Sequence, residues 1–136
     1  MEDPSLSKAE SFAGVVLAVA AVDQDIAEEE KKCIQVTLAR MRLFKDWQPK
    51  QYNAMFGKLT EILNTQGVDA LLEMSIDALS PELYETAFTV SVDVVLSDCV
   101  VTEREKEFIP KLQQKLNVSD RLAEMILRVM LIKNRG

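Results

Sequence analysis

The chain has 136 residues, 48% apolar and 28% charged, with 16 Lys and Arg against 22 Asp and Glu and a net charge of −6. That length suits one domain spanning 1–136, and the acidic balance speaks against a nucleic-acid partner, since phosphate neutralisation dominates such binding. Histidine is absent, and only four scattered glycines and two cysteines are present, which excludes Ser-His-Asp and Cys-His nucleophiles, HExxH zinc helices, Gly-rich phosphate loops and Cys knuckles.

The apolar stretch from Phe12 to Val22 is far shorter than the roughly 20 residues of a transmembrane helix. Glu2, Asp3 and Glu10 precede it against one base, Lys8, the wrong flank for a signal peptide. A cytoplasmic protein with reduced thiols is the expectation. Apolar residues recur at helical spacing, and Ala, Leu, Met, Glu and Lys favour helix. The first helix should run from about Ser5 to Val22, capped by Ser5 or Ser7. The second should run from about Glu28 to Phe44, with Glu28, Glu29 and Glu30 at the positive end of its dipole. Lys45-Asp46-Trp47-Gln48 is a joint, and Pro49 suits the start of a third helix over 49–64. The stretch ending at Gly67 is a stop, followed by a short fourth helix over 68–79. Ser80-Pro81-Glu82 opens a fifth helix reaching about Ser97. Thr102 and Glu105 have capping-box spacing, so a sixth helix should run from Glu103 to near Leu116, with a kink or early end at Pro110. Ser119-Asp120 caps a seventh helix over 120–134.

Sliding the sequence on itself by 75 residues brings Asp23 onto Asp98, Ile26 onto Val101, Glu28 onto Glu103, Glu30 onto Glu105 and Lys31 onto Lys106. Upstream, Ser5 meets Ser80, Glu10 meets Glu85, Val15 meets Val90 and Val19 meets Val94. The pattern implies two similar helix–loop–helix halves, about 5–44 and 80–119, joined by two short helices. The shared element is Asp-x-x-[Ile/Val]-x-x-x-Glu. Two readings of its acids stand. They are caps, turns and dipole partners, or they are oxygen ligands that a hard cation holds together. An EF-hand is disfavoured: counted from Asp23, position six is Glu28 rather than glycine, and position twelve is Ile34 rather than glutamate.

In an acidic all-helical chain of this size, these paired elements resemble the TerB tellurite-resistance family over about residues 8–133. The resemblance implies an all-α fold of about seven helices with two similar halves. It also implies a cytoplasmic, non-enzymatic role in resistance to tellurite and other stresses, with an acidic metal site. The family's loop Asp matches Asp23 and Asp98, and its helix-start Glu matches Glu30 and Glu105. The family usually carries Gly directly after the loop Asp, whereas this chain has Gln24 and Cys99, which leaves the loop backbone less free to turn left-handed.

From the duplicated acids and the resemblance together, the leading expectation is a scaffold or sensor within a stress-resistance complex. It would bind a divalent cation (calcium, magnesium or manganese) through Asp23, Asp25, Glu30, Asp98 and Glu105. The alternative is a metal-free protein-interaction module working through its seventh helix. That helix is apolar on nearly every side, from Met125 to Ile132, and belongs to a basic C-terminal stretch with Arg121, Arg128, Lys133 and Arg135. The expectation is burial within one chain, with a homodimer interface or a membrane-surface contact as the other uses of that surface. Cys33 is read as a core position, Cys99 as a loop thiol without the positive neighbours that favour a thiolate, and Ser91 and Ser97 as packing or turn residues. Asp93 stands among valines, so it is read as an exposed-face acid or as a further member of the acidic cluster.

Overall fold

The structure is a computed structural model that describes residues 5–22, 28–97 and 103–135. Its seven α-helices are α1 (Lys8–Ala20), α2 (Glu28–Ala39), α3 (Pro49–Gln66), α4 (Val68–Ala78), α5 (Tyr84–Ser97), α6 (Glu103–Lys115) and α7 (Asp120–Lys133). Two 3-10 turns, Arg42–Phe44 and Pro81–Leu83, precede α3 and α5, and no strand occurs among the described residues.

The apolar run of α1 explains the architecture. From Ser11 to Ala20 every residue is buried, and a helix apolar all round is stable in water only when surrounded. α1 accordingly runs through the middle of the molecule, packing most extensively on α4 and α5 and also touching α2, α3 and α6. Gly14 permits a close approach to α4. A Cβ there would collide with Ser75 Oγ and lie 3.1 Å from Ser75 Cβ, so a side chain at this position would force Ser75 to shift. Ser11, the polar member of the buried run, donates its hydroxyl to the Lys8 carbonyl at 2.8 Å.

Local chemistry sets the ends. Ser7 Oγ accepts from the Glu10 N–H at 3.1 Å while Glu10 Oε1 accepts from the Ser7 N–H at 2.9 Å, so α1 starts at Lys8, later than the expected Ser5. Pro49 opens α3, and Gly67, at φ 94°, closes it. Ser119 Oγ accepts from the Leu122 N–H at 3.2 Å and caps α7. Two expectations, the end of the second helix and the burial of Cys33, are corrected. The second helix stops at Ala39, and a 3-10 turn carries the chain to Phe44, where Phe44, Trp47 and Tyr52 pack with ring centroids 5.0–5.8 Å apart. The sixth helix runs from Glu103 to Lys115, as expected, and passes Pro110 without ending there. Pro110 is exposed, so the carbonyl it leaves unpaired can meet solvent. Cys33 is exposed, not core: α2 buries only Ile34 and Leu38, one turn apart, and Cys33 is turned off that stripe.

Candidate functional site

The acidic element is described only in part. Asp23, Asp25 and Asp98 lie outside the described residues, as do Thr102 and Cys99. Glu105 stands in the first turn of α6, with its side chain outside the described set. Glu30 is half-buried in the first turn of α2, beside exposed Glu28 and Glu29, and Lys31 Nζ pairs with Glu28 at 3.4 Å. Among the described residues no three acidic or cysteine side chains are grouped closely enough to hold a metal ion. α2 and α6 begin at Glu28 and Glu103, the two residues that the 75-residue offset superposes. A hollow of about 420 Å³ lies between the end of α1, α4 and α6. Val22, the residue before Asp23, lines it together with Glu107 and Phe108 of α6 and Val68 and Asp69 of α4. Lys111 completes the wall, 3.6 Å from Asp69 and over the Phe108 ring at 5.6 Å.

Among the described residues the large apolar side chains left more than half exposed lie on α7, apart from Val36 on α2. Ala123 is buried, and Leu122, Ile126, Leu127 and Met130 pack partly against the core. Met125, Val129, Leu131 and Ile132 are 54–56% exposed. Burial within one chain, the expectation for this helix, therefore holds for one side only. The reason is geometric: a helix at the edge of the bundle has neighbours on one side, here chiefly α5. At 100° per residue, Leu122, Met125, Val129 and Ile132 form one strip with Arg121 and Arg128 beside it, and Arg135 follows in the turn after α7. The apolar strip continues into a groove of about 320 Å³ between α5 and α7, lined by Glu85, Thr86, Thr89, Val90, Leu122 and Ile126. On the basic side, Arg121, Glu124, Met125 and Arg128 surround a smaller depression of about 130 Å³.

Asp93 fixes this surface. Its Oδ1 accepts from Lys133 Nζ at 3.1 Å and from Asn134 Nδ2 at 3.2 Å, joining the middle of α5 to the end of α7. It is half-buried and paired, neither exposed nor part of an acidic cluster among the described residues. The sequence held a signal for the open face. Arg121 and Arg128 stand seven residues apart, which places them on one side of the helix, and a helix enclosed on all sides has no room for two such charges. Ser91 is buried in the packing of α5, as expected.

Comparison with protein-family models, with curated proteins and with solved structures finds no match. No helix among the described residues is long and apolar enough to cross a membrane.

Proposed function

We propose that this chain is a non-enzymatic scaffold that holds a protein partner on the open face of α7. The observation that carries the reading is the strip of Met125, Val129 and Ile132, each more than half exposed, on a helix whose other side is anchored in the core. Ordinary surfaces scatter such residues singly, whereas a contiguous strip beside a groove marks an interaction site. Val129→Asp with Ile132→Asp tests it. The double variant should unfold at the same midpoint as the wild type, because neither side chain is in the core, yet lose a partner that the wild type retains. Retention of the same partner by the folded variant would remove α7 from the interface.

A second reading concerns the duplicated acids and stands beside the first. A divalent cation bound through Asp23, Asp25, Glu30, Asp98 and Glu105 would make the scaffold a TerB-like sensor in a stress-resistance complex. Two features support it: both acidic helix starts recur at the same offset, and Val22 and Glu107 share one hollow. Thermal unfolding of chelator-stripped protein, with calcium, magnesium and manganese titrated separately, tests it. A cation at 100 times its dissociation constant should add about 2.7 kcal/mol of stability, and Asp23→Asn with Asp98→Asn should abolish the gain. No shift with any of the three ions would leave the acids as caps and turns.

A further inference from the structure

We infer that the occupant of the α5–α7 groove is an amphipathic helix of a partner protein, with acidic residues along the flank that faces α7. The inference rests on the reading of α7 as a docking face and adds the chemistry of what docks there. A helix laid in an apolar groove is held by side chains at i, i+3, i+4 and i+7. The groove offers Val90, Leu122 and Ile126 for such a seam, and Val129 and Met125 extend it along α7.

Charge sets the orientation. Arg121 and Arg128 border the apolar strip on one side, both exposed, and neither pairs with an acid among the described residues. The α5 wall opposite is different: Thr86 and Thr89 are neutral and Glu85 is acidic, while Asp93 further along is already matched by Lys133. Acids on the incoming helix are thus attracted by the α7 side and repelled by Glu85, which selects one rotation of that helix about its axis. The same charges disfavour two other occupants. A second copy placed α7 to α7 would oppose Arg121 and Arg128 of each helix, with Glu124 beside them and Asp120 at the helix start to relieve them. A bilayer surface is flat and does not fill a groove, and anionic lipid there would meet Glu85 and Glu124 as well as the arginines.

The test is selection of a displayed library of helical peptides against the full-length chain, with leucine at the seam positions and acidic, basic or neutral residues allowed on both flanks. Enriched peptides should carry Asp or Glu on one flank, and Arg121→Glu with Arg128→Glu should weaken their binding by about tenfold or more while leaving the circular dichroism spectrum unchanged. Enriched peptides that compete at Val129 but show no acidic bias would overturn this inference and leave the docking reading intact. Absence of any enrichment would overturn it as well. So would an α7-dependent dimer in sedimentation equilibrium, or Arg128-dependent pelleting with phosphatidylserine vesicles; either names a different occupant.

Discussion

Glu10 shows how much one side chain can hold at the start of a buried helix. Its burial favours the neutral form, but the Ser7 backbone N–H, the Lys58 ammonium and the Ser7 hydroxyl outweigh that and keep the carboxyl below its ordinary range. Lys58 Nζ reaches it at 3.1 Å and also donates to the Ser5 carbonyl at 2.8 Å, tying α3 to the entry of α1. A carboxyl lowered in the folded state adds stability above its unfolded pKa and loses it as pH falls through its folded pKa. Glu10→Gln should therefore be less stable than the wild type in urea at pH 7, and the difference should shrink on acidification below the ordinary carboxylate range. A difference independent of pH would assign the effect to packing. Asp93→Ala makes a separate prediction. It should cost about 1 kcal/mol, since a charge-assisted bond is lost but Lys133 is partly solvent-screened, and it should speed hydrogen exchange at the end of α7 more than in α1. Neither pairing was legible in the sequence: Glu10 and Lys58 are 48 residues apart, Asp93 and Lys133 are 40 apart, and only the fold brings them together. The Ser7–Glu10 spacing was legible, because capping needs no tertiary partner.

At the scale of elements, α1 and α7 make opposite use of similar composition. Both are rich in apolar residues, but α1 lacks a charged stripe and is enclosed, whereas α7 carries Arg121 and Arg128 on one side and is half open. Helix starts and stops near Pro49, Gly67 and Ser119 follow from local backbone chemistry, so periodicity and capping predict them within a few residues. Burial depends on what stands opposite, and no local rule supplies that. The consequence for α7 is measurable. Val129→Asp with Ile132→Asp should change the urea midpoint little, since surface substitutions usually stay within about 0.5 kcal/mol, whereas Val16→Asp on α1 should prevent folding, because it buries an unpaired charge. Equal destabilisation by both sets would mean that α7 is covered within the folded chain.

Across the whole molecule, the 75-residue repeat anticipates an arrangement in which α2 and α6 start at corresponding positions. The fold class was open to sequence reasoning because nearly every segment repeats apolar residues at helical spacing. The candidate site was less open. The sequence drew attention to Asp23, Asp25 and Asp98, which lie outside the described residues, while most of the uncovered large apolar side chains among the described residues are on α7. The role proposed for this face is to receive a protein. The most direct measurement places a photo-crosslinking amino acid at Val129 in the full-length chain, inside the cells that make it, with Glu61 on the exposed side of α3 as the control position. The prediction is a discrete crosslinked partner from Val129 that is absent from Glu61 and is lost when Met125 and Ile132 are changed to Asp. Identical crosslinking patterns from the two positions would contradict the claim.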